Sequence, residues 1–314
     1  MGTGHKPRYA IRKGGMSILV VGSVALDSVQ TPFGKRDEIL GGSATFFSIA
    51  ASFFNKVNIV ATVGQDFPKR YLTLFRKRGI GTEGLTAARG NTFRWKGRYD
   101  YDLNTARTIS THLNVFKDFN PQVPHHLRNS EYVFLANIDP VLQYNVLKQM
   151  RKPKFVACDS MNYWIENKRK DLEKILDKID MLLLNDAEAR QFSGESNLIK
   201  AAQAIISYGP KAVIIKRGEH GVLYFAKGSH FVAPAYILET IYDPTGAGDT
   251  FAGGVMGFLS KAKKIDESSI RKSIIYGSIM ASFAVEDFSV NRLLEITKED
   301  IAERYNHFKE ITRF

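Results

Sequence analysis

Short apolar runs separated by helix-length segments constrain the fold of this 314-residue chain more than any other feature. The first run, SILVVG (17–22), precedes a glycine pair and the helical pattern GGSATFFSIAASFF (41–54). A second unit joins VNIVATVG (57–64) to FPKRYLTLFRKRG (67–79), which ends at a glycine as helices often do. Five later runs are also strand-like: YVFLAN (132–137), KFVACD (154–159), MLLLN (181–185), AVIIKRG (212–218) and VLYFA (222–226). Continuously apolar strands that alternate with helices predict an α/β fold, with a mainly parallel sheet covered by helices on both faces.

One region departs from this alternation. In TFRWKGRYDY (92–101), aromatic residues alternate with charged ones, which is typical of a half-exposed strand with one aromatic face. The segments ARTISTHLNVF (106–116) and VQTPFGKRDEIL (29–40) also lie outside the repeating units. We expect a small β-layer from segments about 28–40 and 91–116. It is either an antiparallel edge packed on the body or a lid whose aromatic face covers a ligand.

The chain shows no fixed-period repeat and no low-complexity linker, so we expect a single domain over residues 16–314. The first 15 residues hold four basic residues and no acid. They lack the apolar core of a secretory signal, and we expect an added leader or a short disordered arm.

Charge and cysteine content narrow the partners and the compartment. The net charge is +12, which suits either a nucleic acid or a basic surface that attracts anionic small ligands. No nucleic-acid-binding motif accompanies the scattered Lys and Arg, so we expect no nucleic-acid partner. No apolar run reaches the roughly 18–20 residues that a membrane helix needs. Cys158 is the only cysteine and leaves no disulfide or CxxC pair, which favours a cytoplasmic protein.

The stretch DPTGAGDTFAGG (243–254) carries the strongest chemical signal. The stretch is not a phosphate-binding loop of the GxxxxGK[ST] type, because Gly254 stands where that motif requires lysine. A dinucleotide fingerprint fails because Phe251 occupies the position of the third glycine. The remaining interpretation is an anion hole, in which the amides of 246–248 point at a ligand from a helix N-terminus.

Asp249 has two interpretations. As an N-cap or first-turn acid it would stabilise the helix by about 0.5–2 kcal/mol. A carboxylate beside a phosphate-binding loop is repelled by the ligand, which is tolerable if its task is to accept a proton. Phosphoryl transfer to an alcohol requires such a base.

This stretch resembles the C-terminal signature of the PfkB/ribokinase family of carbohydrate and nucleoside kinases, and the resemblance covers residues 17–314. The family fold is ribokinase-like, a mainly parallel sheet with a small β lid. Five further segments resemble family motifs: GSVALD (22–27), GGSATFF (41–47), VGQD (63–66), NDAE (185–188) and KRGEHG (216–221).

The resemblance implies roles for the phosphate machinery. Asp249 would be the general base, and Gly246, Ala247 and Gly248 would supply amides to the transferring phosphate. Mg²⁺ would be held, largely through water, by Asn185 and Glu188. ATP would also be lined by Lys216, Gly218 and Gly221.

It also implies an acceptor side and a cation site. Asp27, Gly41 and Gly42 would bind the acceptor's hydroxyls. As in many relatives, K⁺ would be held by carbonyls around Asp243, Thr245 and Ala284. Relatives also pair their lids, which suggests a homodimer.

Two departures fall on the acceptor side. In the family motif GGxxxN, this chain has Phe46 in place of the Asn. The segment DSMNYW (159–164) resembles the family motif D-x-N-x-R, but Asn162 stands one position later than in the motif and no Arg follows. We expect Phe46, Phe93 and Trp95 to favour a nucleoside over a small polar sugar, because aromatic rings stack on a base; the alternative is that they pack the lid or a dimer interface. A catalytically silent binding or regulatory module is the alternative to a kinase. The retained Asp249, Asn185 and Glu188 argue against it.

Overall fold

The computed structural model describes residues 17–313, so the expected leader over 1–15 lies outside the described residues. Within this range the chain forms thirteen β-strands and eleven α-helices. The strands are β1 (Ile18–Val21), β2 (Ala25–Thr31), β3 (Gly34–Gly41), β4 (Val57–Gly64), β5 (Gly81–Ala88), β6 (Arg94–Tyr99), β7 (Ala106–His112), β8 (Tyr132–Leu135), β9 (Phe155–Asp159), β10 (Met181–Asn185), β11 (Ala212–Lys216), β12 (Val222–Ala226) and β13 (Ser229–Ala233). The helices are α1 (Ser43–Ser52), α2 (Lys69–Lys77), α3 (Pro140–Gln149), α4 (Asn162–Asn167), α5 (Arg169–Leu176), α6 (Asp186–Ser193), α7 (Leu198–Ser207), α8 (Ala247–Leu259), α9 (Glu267–Ala284), α10 (Asn291–Glu295) and α11 (Lys298–Ile311).

The larger sheet has nine strands in the order β13-β12-β11-β10-β9-β8-β1-β4-β5. The strands from β5 to β11 in this order are parallel, and β12 and β13 continue the sheet antiparallel at one edge. The predicted mainly parallel sheet is therefore confirmed. The inner parallel strands β1, β8, β9, β10 and β11 consist mostly of buried apolar residues because both faces are covered, whereas the edge strand β5 carries Thr82 and Glu83 and is partly exposed.

Two apolar cores lie on the two faces of this sheet. Val20 belongs to the core that includes α1, α8 and α9, whereas its neighbour Leu19 belongs to the core that includes α3, α5, α6 and α7. Successive strand residues point to opposite faces, so each core takes alternate side chains. Helices on both faces were predicted, and this is confirmed. In the described part of the chain, no helix has both the length and the apolar character needed to span a bilayer.

The segments expected to form a β-layer build a separate four-stranded sheet in the order β3-β2-β6-β7. We call it the small sheet. Trp95 and Tyr99 lie on one face of β6, and the indole ring of Trp95 covers Gly97, where a Cβ would overlap it. Phe93 precedes β6 and stacks on Phe116 with ring centroids 5.4 Å apart. This stacking uses one face of the half-buried Phe93 ring, and the expected contact of Phe93 with the acceptor stays a prediction.

An ion pair from Arg94 to Asp66 fastens the small sheet to the body. The Arg94 guanidinium reaches Glu38 of β3 at 2.6 Å and Asp66, after β4, at 2.8 Å. Asp66 also accepts hydrogen bonds from the amide and hydroxyl of Thr92, both at 2.7 Å. This end of the small sheet is thus fixed where the main sheet presents the carboxyl ends of its strands.

Candidate active site

The loop 243–248 is shaped by one buried carboxylate and one left-handed glycine. Asp243 accepts hydrogen bonds from the amides of Thr245 (2.9 Å) and Ser289 (3.4 Å). Gly246 has φ +76°, a conformation that side chains disfavour, and it serves as the N-cap of α8. The ring of Phe46 lies where a Cβ on Gly246 would point. The loop is therefore held from beneath by an aromatic ring.

This placement corrects the expected role of Phe46. Its side chain is 2% exposed and belongs to the apolar core that includes α1 and α8. A ring buried this deeply has no free face for stacking on a base. Phe46 supports the loop that precedes α8.

Two of the three expected anion-hole amides are free. The Ala247 amide donates to the Pro244 carbonyl at 3.1 Å and so closes a turn. Within residues 17–313, the amides of Gly246 and Gly248 have no hydrogen-bond acceptor. They leave two donors at the N-terminus of a 13-residue helix, where the helix dipole favours an anion.

Asp249 is the third residue of α8, so it is a first-turn acid and not the N-cap. In the described part of the chain nothing hydrogen-bonds its carboxylate. Burial and, to a smaller extent, the nearby Asp159 raise its pKa to about 7, against the opposing effect of Lys216. A carboxylate with that pKa can accept a proton near neutral pH.

NDAE (185–188) forms a reciprocal helix cap at the end of β10. Asn185 Oδ1 accepts from the Glu188 amide at 2.7 Å, and Glu188 Oε2 accepts from the Asn185 amide at 2.8 Å. Burial raises the pKa of Glu188 to about 7, and Lys216 opposes this shift. The cap uses one of the two carboxylate oxygens. The other suits Mg²⁺, which prefers a few carboxylate oxygens together with phosphate and water.

Lys216 ends β11 beside these groups. Its Nζ donates to Asp159 Oδ2 at 3.0 Å, and the two side chains are only 18% and 6% exposed. The same Nζ lies 3.1 Å from the point where a Cβ on Gly248 would stand. The nearby turn contains Gly218 and Gly221, with φ values of +53° and +80°.

Asp27 and the diglycine pair form one compact unit. The Gly42 amide donates to Asp27 Oδ2 at 3.3 Å, and a side chain on Gly41 would overlap the Asp27 carboxylate. Burial, together with the nearby Asp243 and Asp249, raises the pKa of Asp27 to about 7, although the hydrogen bond from the Gly42 amide opposes the rise. The structure therefore places the expected acceptor-binding acid in the same cluster as the expected base.

Tyr99 was not among the expected site residues, although the alternating pattern of 92–101 included it. Its phenol oxygen accepts from the Thr245 hydroxyl at 3.3 Å. Burial raises its pKa, and Asp243, Asp27 and Asp249 add to the rise. Tyr99 thus reaches from the small sheet into the carboxylate cluster. Trp95 lies opposite Asp27 in the β2–β6 register, with its indole N–H bonded to Thr108 at 3.1 Å.

The expected cation-site segments are also neighbours. The Tyr242 amide donates to the Val285 carbonyl at 2.8 Å. This bond joins the start of the loop carrying Asp243 and Thr245 to the residue after Ala284.

A free pair of amides at a helix N-terminus and a nearby carboxylate with a raised pKa are the groups that phosphoryl transfer to an alcohol requires. The chain belongs to the pfkB family of carbohydrate kinases, whose profile matches residues 20–297. It is similar to a cytidine kinase of Thermococcus kodakarensis, with 28% identity over 80% of this chain and 91% of that protein.

Solved structures share the fold. A Burkholderia thailandensis nucleoside kinase in complex with inosine has a TM-score of 0.78 and 18% identity, covering 92% of this chain and 98% of the other. A ribokinase II from E. coli in complex with ATP and Mg²⁺ has a TM-score of 0.76 and 16% identity, covering 93% and 99%. Ribokinase-family kinases use ATP with Mg²⁺.

Proposed function

We propose that this enzyme transfers the γ-phosphate of ATP to a hydroxymethyl group of a nucleoside, with Asp249 as the general base. The observation that carries the proposal is the position of Asp249. Its carboxylate has a pKa of about 7 and stands one residue after a free amide at the start of α8. A group that takes a proton and a group that binds an anion are thereby adjacent.

In this mechanism the acceptor hydroxyl loses its proton to Asp249 as its oxygen attacks the γ-phosphorus, and the bond from that phosphorus to the β,γ-bridging oxygen breaks, with ADP as the leaving group. The amides of Gly246 and Gly248 donate to the phosphoryl oxygens, where each well-placed donor contributes about 10²–10³ in rate. Asn185 and Glu188 would hold Mg²⁺ through water, and the ion would neutralise phosphate charge. The turn with Gly218 and Gly221, together with Lys216, would line the nucleotide.

On the acceptor side we propose Asp27, Gly41 and Gly42 as hydroxyl-binding groups. Trp95 and Tyr99 of the small sheet would cover the acceptor, so that the small sheet acts as a lid that excludes water. These rings support a nucleoside over a small sugar. The relatives named cytidine kinase and nucleoside kinase support the same choice.

Three further features belong to this proposal. K⁺ would bind at carbonyls of Asp243, Thr245 and Ala284, where two loop segments meet. A homodimer would form through exposed apolar groups of the small sheet, such as Phe33 and Ile109. The enzyme would work in the cytoplasm without a nucleic-acid partner, and steeply salt-dependent retention on DNA or RNA would contradict that last point.

The test is a screen of Mg²⁺-dependent ADP release over nucleosides and sugars, with Asp249→Asn as the inactive control. We expect turnover with at least one nucleoside and loss of that turnover in the variant. If no acceptor is phosphorylated and the variant binds ligands as the native enzyme does, the chain is a silent binding module.

A further inference from the structure

The ion pair between Lys216 and Asp159 is largely buried, and its role need not be to stabilise the fold. The two residues end β11 and β9, and β10 runs between these strands. Replacing a buried ion pair with apolar groups of similar size is often neutral for folding, so such a pair is weak evidence for a structural task. Asp159 is also fixed on its other side, because its Oδ1 accepts from the Ser160 amide at 2.9 Å.

The ammonium lies beside Gly248, whose amide is free in the described part of the chain. A Cβ on that glycine would come within 3.1 Å of Nζ. Glycine at 248 therefore leaves room for the lysine head as well as exposing an amide. The positive charge and the N–H donor border the same space at the start of α8.

The hydrogen bonding of this ammonium group is incomplete in the described part of the chain. Its charge acts on three carboxylates: Asp159, Glu188 and Asp249. An ammonium has three N–H donors, and the recorded hydrogen bond to Asp159 uses one. Two donors remain for a ligand near the free amides of Gly246 and Gly248 at the start of α8.

We propose that Lys216 is the cationic member of the anion hole and binds the terminal phosphoryl group of the nucleotide, with Asp159 as the residue that positions it. The inference rests on the proposed function and deepens it. It moves Lys216 from a general nucleotide contact to a contact with the phosphoryl group that is transferred. Lysine binds phosphate as a compact charge, which tolerates movement of that group during transfer.

The experiment compares the binding of ATP and ADP by calorimetry, without acceptor, in Lys216→Met, Lys216→Arg and the double variant Lys216→Met/Asp159→Asn. The double variant removes both charges of the pair, so that Asp159 is not left as a buried carboxylate without its partner. Lys211→Met is the matched control. Lys211 precedes the same strand at its opposite end, where it pairs with Asp180 at 2.7 Å on the surface.

We expect Lys216→Met and the double variant to bind ATP about 10–100-fold more weakly, with ADP affinity changed only a few-fold, because charge-assisted phosphate contacts are strong. Lys216→Arg should restore part of the ATP affinity, and Lys211→Met should match the native protein. With an accepted substrate, kcat should fall about 10²–10³-fold in Lys216→Met, as for loss of one anion-hole donor.

Two results would overturn the assignment. One is a folded double variant, judged by its melting temperature, that binds ATP as tightly as the native protein. The other is an equal loss of ATP and ADP affinity, which would place Lys216 at the nucleotide's inner phosphates. Failure of the proposed function is a different result: the native protein would then phosphorylate no acceptor, whereas the affinities for ATP and ADP could still be compared.

Discussion

The pH dependence of turnover tests the electrostatics of the site. Burial and Asp159 raise the pKa of Asp249 to about 7, so below neutral pH a growing fraction is protonated and cannot accept a proton. With one titrating base, about one enzyme in eleven carries the active carboxylate at pH 6. The value of kcat/KM for the acceptor should then be about tenfold below its plateau, and about a hundredfold below at pH 5.

The slope of log(kcat/KM) against pH distinguishes titration of Asp249 alone from titration of Asp249 together with other acids. Asp27 and Glu188 also have pKa values of about 7, and both would have to be ionised for acceptor and Mg²⁺ binding. A slope above one in a plot of log(kcat/KM) against pH would show that these acids titrate as well. Lys216 lowers the pKa of Asp249, so Lys216→Met should move the acidic limb to higher pH.

The assay is ADP formation from pH 5 to 9 at saturating ATP and Mg²⁺, with enzyme stability checked at each pH. A rate that stays constant down to pH 5 would refute a base with a raised pKa. If the rate of the Asp249→Asn variant still falls at acidic pH as the native rate does, the titrating group is not Asp249.

Three further predictions concern folding and the small sheet. Gly246→Ala should destabilise the fold by about 1–2 kcal/mol in urea unfolding and lower kcat, because φ is +76° and the new methyl group would meet Phe46. Asp249→Asn should raise stability at pH 8 by about 1 kcal/mol, discounted for partial exposure, and not at pH 3. The folded pKa is the higher one, so the native carboxylate costs stability as pH rises from about 4 to 7; equal effects at both pH values would contradict this. Tyr99→Phe should keep the melting temperature and alter acceptor KM a few-fold by removing the Thr245 hydrogen bond, and an unchanged KM would place Tyr99 outside the acceptor site.

Much of the fold follows from the sequence because the signals are local. Apolar strand runs and helix-length segments alternate along the chain, so both the parallel sheet and its covered faces could be predicted. The small sheet was visible as a change to period two. NDAE could be recognised as a motif, and its spacing also suits the reciprocal cap that the structure shows.

The corrections concern the direction of single side chains, which spacing does not reveal. Phe46 stands at the Asn position of the GGxxxN motif that the resemblance supplied, yet its ring turns into the core beneath Gly246. Ala247 lies in the glycine loop, but its amide closes a turn with Pro244. The link from Lys216 to Asp159 spans 57 residues, and only the strand order brings their ends together.

The central claim is that Asp249 removes the acceptor's proton. Its most direct test is single-turnover phosphorylation of the accepted nucleoside by Asp249→Asn, with ATP and nucleoside affinities measured in parallel. We predict a rate about 10²–10⁴-fold below the native enzyme with both affinities within a few-fold of native values. A variant that phosphorylates the nucleoside at the native rate would contradict the account.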